Sequence, residues 1–156
     1  MKKGCFRTGA IVTLFSLLLG VAPLGTAAAD SLQLSDYHGK VLVLDFWASW
    51  CVPCRRSFPW MNEMQQKYGD DGLVIVGVNL DNDAADAAEF LKAYPADFTI
   101  TYDPTRMLAR DYAVEAMPSS FLIGRDGEIV ERHLGFKVAK IDEYEAAIVS
   151  ALGEKP

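Results

Sequence analysis

The chain has 156 residues and a formal net charge of −6, and 51% of its residues are hydrophobic. This length and composition suit one domain of ordinary size with a buried core. The acidic balance argues against nucleic acid as a partner, because a negative surface repels phosphate backbones. No internal repeat, low-complexity segment or linker divides the chain.

The N-terminal segment has the composition of a secretory signal peptide. Three basic residues lie within the first seven positions, an apolar stretch covers 10–24, and three alanines stand at 27–29. This order predicts a signal peptide at 1–29 and an exported, periplasmic domain at 30–156. The apolar stretch is shorter than the ~20 residues that span a bilayer comfortably, and an uncleaved membrane anchor is the alternative. The predicted mature domain has a formal charge of −9, because 1–29 holds three of the 15 basic residues and none of the 21 acidic ones.

Hydrophobic periodicity predicts alternating strands and helices in the rest of the chain. The predicted strands are short apolar or alternating runs at 41–46, 73–78, 99–101, 119–123 and 128–133. The predicted helices lie at 54–68, at 84–94, from 103 through 112, and at 139–152. We expect Pro59 to kink the first helix, and Asp103 with Pro104 to cap and start the third. This order predicts an α/β fold with parallel crossovers first and a C-terminal hairpin last.

The most informative motif is a Cys-x-x-Cys pair, Cys51 and Cys54, which closely follows the first predicted strand. A strand followed by a helix places this pair at a helix N-terminus, where the helix dipole lowers a cysteine pKa. The thiolate is the form that exchanges disulfides, so the motif predicts a thiol–disulfide redox site. A structural disulfide or half of a metal site is the alternative interpretation.

Several separate positions together resemble the thioredoxin fold. The segment 45–54 reads Asp-Phe-Trp-Ala-Ser-Trp-Cys-Val-Pro-Cys, Pro59 matches a helix-kinking proline, and Met117-Pro118 matches the cis-proline loop. With the export signal, the chain resembles the TlpA-like branch of periplasmic disulfide reductases, which includes reductases of cytochrome c maturation. This resemblance implies a central mixed β-sheet flanked by helices, with an inserted helix between the second central strand and the cis-proline loop.

The resemblance also implies a role for individual residues. Cys51 is the implied exposed nucleophile, which forms a mixed disulfide with the substrate, and Cys54 is the buried cysteine that resolves it. Asp45 is expected to be buried with a raised pKa and to accept the proton of Cys54; the alternative is an acid satisfied by local backbone donors. A cis Pro118 leaves the backbone of Met117 free to pair with a substrate peptide. The residues expected to contact substrate are Trp50, Pro53 and Met117.

Two departures from the pattern of the family bear on proton handling. Ser57 stands where TlpA-like sequences often carry glutamate, and Gly77 stands where many thioredoxins carry a lysine that faces the buried acid. We therefore expect proton handling at this site to differ from that of thioredoxin. The two histidines, His38 and His133, are predicted to be surface or loop residues.

The resulting prediction is an exported oxidoreductase that reduces protein disulfides, with apocytochrome c as one expected client. No nicotinamide or flavin motif is present, so electrons are expected from a membrane thiol transporter, with no cofactor beyond the Cys51–Cys54 disulfide and no metal. A monomer is expected. The alternatives are a disulfide oxidase or isomerase, and a Cu(I)-binding chaperone that uses the two thiolates. A peroxide reductase is disfavoured because its Thr-x-x-Cys motif is absent.

Overall fold

The computed structural model describes Met1 and residues 32–153, so all of the predicted signal peptide except Met1 lies outside the described residues. The described part contains five strands, which are β1 (Val41–Trp47), β2 (Leu73–Asn79), β3 (Thr99–Tyr102), β4 (Ser119–Ile123) and β5 (Ile129–Leu134). Its α-helices are α1 (Cys54–Tyr68), α2 (Ala84–Ala93), α3 (Met107–Asp111) and α4 (Ile141–Gly153). Two short 3-10 turns, Leu34–Tyr37 and Val138–Lys140, precede β1 and α4.

The strands form one mixed sheet in the order β3-β2-β1-β4-β5. β1 pairs in parallel with β2 and antiparallel with β4, while β2 pairs in parallel with β3 and β4 antiparallel with β5. β1 is therefore the central strand, and all seven of its residues are buried. A strand covered on both faces reads as a continuous apolar run, which is why 41–46 was recognisable in the sequence. The predicted mixed α/β sheet flanked by helices is confirmed.

Alternate side chains of β1 enter two different apolar clusters, one on each face of the sheet. Val43 and Trp47 join a cluster that also holds Cys51 and Cys54, together with residues of α1, α2 and α4. Phe46 joins the opposite cluster, in which its ring packs against the ring of Phe121 with centroids 5.8 Å apart. The redox pair therefore belongs to the face that α1 and α4 cover.

The third helix differs from the prediction. It begins at Met107 rather than at Asp103 and Pro104, because Arg106 adopts a left-handed conformation with φ of 57°. The carboxylate of Asp103 still accepts hydrogen bonds from the backbone N–H groups of Met107 and Ala109, both at 2.9 Å. Asp103 therefore anchors the helix start from outside the first turn. Pro59 lies inside α1, which continues past it to Tyr68.

Candidate active site

The cysteine pair lies where the central strand gives way to α1. Cys51 and Cys54 form a disulfide with their Cα atoms 5.4 Å apart, and Cys54 is the first residue of α1. The backbone N–H of Cys54 donates to Sγ of Cys51 at 3.3 Å, and the N–H of Cys51 donates to the carbonyl of Ala48 at 3.0 Å. The Cys51 sulfur thus accepts from a backbone N–H at a helix N-terminus, where a thiolate is stabilised.

The two sulfurs are more covered than the sequence suggested. Cys54 is fully buried, as expected, but Cys51 is only 3% exposed, so the prediction of an exposed Cys51 is wrong for the disulfide state. The physical reason is the closed ring, which holds Cys51 in the apolar cluster beside buried Cys54. Its neighbours point outward instead, with Trp50 62% and Val52 60% exposed.

The cis-proline loop adjoins the exposed side of this turn. The peptide bond between Met117 and Pro118 is cis, as predicted, and Pro118 is buried. Met117 is half-buried, and it lines one surface groove together with Trp50, Arg106 and Arg110. The structure therefore brings Met117 together with Trp50, the residue that directly precedes Cys51. Pro53 is half-buried at the N-cap of α1 and does not line this groove.

Asp45 is a fully buried carboxyl group in the centre of β1. The hydroxyl of Ser120 donates to its Oδ1, and its Oδ2 has no hydrogen-bond partner among the described residues. Burial raises the pKa of Asp45 to about 7, and the hydrogen bond from Ser120 opposes this rise. Asp45 lies between Val43 and Trp47, on the face that carries the cysteines. A carboxyl group with a pKa near neutrality can both accept and release a proton at physiological pH.

The two departures from the family pattern have structural consequences. Ser57 is buried, and its hydroxyl donates to the carbonyl of Cys54 at 3.2 Å. Gly77 is the register partner of Asp45, as the alignment with thioredoxins predicted. A Cβ at Gly77 would lie 3.1 Å from Nε1 of Trp47 and 3.0 Å from a methyl group of Ile100. The space that a lysine side chain at position 77 would need is therefore already filled by side chains packed above Gly77.

Sequence reasoning missed two residues that support the site, Asp81 and Ser120, and it placed His133 only in part. Asp81 accepts from the backbone N–H of Ser49 at 2.9 Å and from its hydroxyl at 3.0 Å, which anchors the loop before Cys51. Ser120 holds Asp45, and only its antiparallel pairing with Asp45 across the sheet reveals it. His133 lies half-buried in β5 against Tyr144, so its prediction as a surface or loop residue is wrong in part.

Within residues 32–153 no group of three or more His, Cys, Asp or Glu side chains is arranged to hold a metal ion. The same part of the chain contains no helix that is both long and apolar enough to cross a membrane.

The strand order, the cysteine pair at the start of α1 and the cis-proline loop define a thioredoxin-like protein of the thiol–disulfide class. The Redoxin family profile matches residues 20–148, and the chain belongs to that family.

Relatives of known name agree with this class. The chain is 36% identical over 104 residues to the thiol-disulfide oxidoreductase ResA of Bacillus cereus, a match that covers 67% of this chain and 60% of that protein. It is 34% identical over 100 residues to ResA of Bacillus subtilis, covering 64% of this chain and 56% of that protein. The matched region thus spans less than two thirds of each relative's own length.

Solved structures give the same fold. A protein from Chlorobium tepidum, assigned as a thiol:disulfide interchange protein DsbE, is 51% identical with a TM-score of 0.76, and the match covers 78% of this chain and 86% of that one. StoA from Bacillus subtilis is 27% identical with a TM-score of 0.61, covering 70% and 83% of the two chains.

Proposed function

We propose that this protein is an exported thiol–disulfide oxidoreductase that reduces disulfide bonds of protein substrates. The observation that carries the proposal is the Cys51–Cys54 disulfide at the N-terminus of α1, next to a groove between Trp50 and Met117. The family relationship and the buried carboxyl of Asp45 support it.

The reaction begins from the dithiol form. The Cys51 thiolate, stabilised by the N-terminus of α1, attacks one sulfur of the substrate disulfide, and the other substrate sulfur leaves as a thiolate that takes a proton from water. Cys54 then gives its proton to Asp45 and attacks Sγ of Cys51. The Cys51–Cys54 bond forms as the mixed disulfide between Cys51 and the substrate breaks, and the substrate's second sulfur leaves as a thiolate that takes a proton from water. The substrate gains two electrons, and the cysteine pair loses two.

Substrate is held by backbone and side-chain contacts beside the disulfide. The backbone of Met117, next to cis Pro118, pairs with an extended substrate segment as an added strand. Trp50 provides an exposed aromatic surface on the other side of the groove, and Pro53 lies at the rim of the cysteine turn. Trp50, Met117 and Pro53 thus form the proposed docking surface for a substrate cysteine.

The protein needs an outside source of electrons, because the cysteine pair is its only proposed redox group and no cofactor is invoked. A membrane thiol transporter is the proposed donor, and the protein acts as a periplasmic monomer, with the segment 1–29 as its export signal. Apocytochrome c is the proposed client, on the strength of the resemblance to the TlpA-like reductases.

The reduction potential of the Cys51–Cys54 couple tests the proposed direction. It is measured by equilibration of the mature domain in dithiothreitol or glutathione buffers, with the dithiol fraction quantified by alkylation. A value near about −270 mV, as in thioredoxin, supports a reductase. A value near about −120 mV, as in a strong periplasmic oxidant, contradicts it and makes the protein a disulfide donor.

A further inference from the structure

A row of polar side chains crosses the face of the sheet that carries the cysteines. Asp45 of β1 is the register partner of Ser120 in β4, and Ser120 is the register partner of His133 in β5. Register partners point to the same face of a sheet, so the three side chains lie side by side. The row leads from the buried centre to the edge strand, where Glu131 shares the face of His133.

The opposite flank of Asp45 is closed to water. Its register partner there is Gly77. The space above Gly77 is filled by the indole of Trp47 and by the side chains of Phe98 and Ile100. Each of the three has an atom within 3.1 Å of the position that a Cβ on Gly77 would take. No titratable side chain replaces the lysine that many thioredoxins carry at this position. The polar atom on this side is Nε1 of Trp47, an indole N–H that donates but cannot accept a proton. We therefore look for a proton acceptor for Asp45 on the β4 side.

A small cavity lies on that β4 side. It measures about 20 Å³, enough for one water molecule, and Ser120, His133, Trp60 and Tyr144 contribute to its lining. Two buried nitrogens, Nε1 of Trp60 and Nε2 of His133, have no hydrogen-bond partner among the described residues. A water held by these two nitrogens and the Ser120 hydroxyl has the two to four polar partners that buried waters require.

His133 connects this cavity to the surface. Its side chain is 19% exposed, and Nε2 lies 2.8 Å from Oε1 of Glu131, a close contact without hydrogen-bond alignment. The ring packs on Tyr144 of α4 with centroids 4.5 Å apart. The ionisable groups around it are Glu131 on its own strand, Tyr144 on α4, and Lys140, which interacts electrostatically with both.

We propose that Asp45 exchanges its proton with solvent through Ser120, one water molecule in this cavity, and His133. Protonated Asp45 donates to Oγ of Ser120, whose hydroxyl proton passes to the water. The water in turn gives a proton to Nε2 of His133, and the imidazolium, with Glu131 beside its Nε2, releases its Nδ1 proton to solvent at the sheet edge. Each intermediate group gains one proton and loses one, so only Asp45 and the solvent change. Ser120 and His133 thus act through Asp45, as positioning residues.

The route is tested on the dithiol protein by carbon-13 NMR of the aspartate carboxyl groups. The resonance of Asp45 is assigned as the one that is missing from the spectrum of Asp45→Asn. At the titration midpoint, rapid proton exchange gives one averaged resonance for Asp45. We expect His133→Phe, which keeps an aromatic ring against Tyr144, to slow this exchange by about a hundredfold, and so to broaden or split the resonance. Ser120→Ala should do the same.

The matched control is His38→Phe, which removes the other histidine from an exposed turn. The control should leave the Asp45 resonance averaged. A second test variant, His133→Gln, has a side chain that forms hydrogen bonds but carries no ionisable group, and it should slow proton exchange as His133→Phe does. Backbone amide spectra verify the fold of each variant. An averaged, unchanged resonance in either His133 variant overturns the proposal.

The relay matters to catalysis only if Asp45 serves Cys54, which belongs to the proposed function, and a second measurement separates the two. A chromogenic aromatic disulfide reacts with the dithiol protein in two phases, and the second phase is the attack of Cys54 on the mixed disulfide. If that phase has no pH dependence near neutrality while the NMR exchange still depends on His133, the role of Asp45 in resolution fails and the relay stands.

Discussion

Asp45 and Gly77 are register partners in neighbouring parallel strands, so the residue opposite the carboxyl group has no side chain to pair with it. The indole of Trp47 and the side chains of Phe98 and Ile100 fill that space instead. Burial without a basic neighbour raises the pKa of Asp45 to about 7. The charge state of the Asp45 carboxyl group is therefore set by apolar packing on its β2 side and by the hydrogen bond from Ser120 on its β4 side.

Gly77→Ala should destabilise the protein by about 1–3 kcal/mol, because the added methyl group overpacks against Trp47, Phe98 and Ile100. Urea denaturation of the disulfide form measures the change. Gly153→Ala is the control, since a Cβ there meets nothing within 4 Å, and it should stay within about 0.5 kcal/mol. If Gly77→Ala were as stable as the parent chain, the space above Gly77 would not be filled by these three side chains.

Asp45→Asn should change the dependence of stability on pH. The pKa of Asp45 rises from 3.8 to about 7 on folding, mainly through burial. Between these values the folded chain keeps a proton that the unfolded chain has lost, so its stability falls as the pH rises from about 4 to about 7. The variant does not lose stability in this way. Between pH 4 and pH 7 its free energy of unfolding should therefore rise by roughly 4 kcal/mol relative to that of the parent. Denaturation of the disulfide form at several pH values tests this, and parallel curves would contradict it.

Asp45→Asn should also slow the resolution step by about a hundredfold at neutral pH, because an amide does not accept the Cys54 proton. The parent's second-phase rate should rise with pH through about 7, where Asp45 ionises, and the variant should lose that inflection. Stopped-flow release of an aromatic thiol measures it. The first phase, attack by Cys51, is the internal control and should keep its rate.

Cys54→Ser should trap the mixed disulfide with a protein substrate, because Cys51 still attacks but nothing resolves the product. Cys51→Ser should trap far less, since the remaining sulfur is fully buried. Non-reducing electrophoresis and mass spectrometry of the adduct distinguish the two variants. Equal trapping by both would show that Cys54 also reaches substrate, which would contradict the separate roles of the two cysteines.

Asp81→Ala should loosen the loop before Cys51, because Ser49 loses two hydrogen bonds and Asn79 loses one at 2.8 Å. One buried donor left unpaired costs about 1–3 kcal/mol of stability, and the buried bond lost here is the one from Nδ2 of Asn79. Thermal and urea denaturation measure this cost. Asp70→Ala, at an exposed turn position, is the matched control and should be close to neutral.

The order of the strands and helices could be predicted from the sequence, since it rests on local patterns. A continuous apolar run at 41–46 and a helical period over 54–68 need no distant partner to be recognised, and both elements appear. The start of α3 could not, because Asp103 is held by a hydrogen bond from its N–H to the carbonyl of Asn79 in β2. Arg106, three residues later, adopts a left-handed conformation, which a local pattern does not predict.

By itself the sequence determined the chemistry of the site: a cysteine pair at a strand-to-helix turn, a proline before β4 and an acid within a buried strand. These are short-range features, so composition and spacing reveal them. Only the tertiary structure decided the environment of the acid. Ser120 lies 75 positions from Asp45 and reaches it through antiparallel pairing, and His133 follows one strand further on. The covered Cys51 sulfur and the filled space at Gly77 likewise depend on side chains from several elements packing together, which no local pattern encodes.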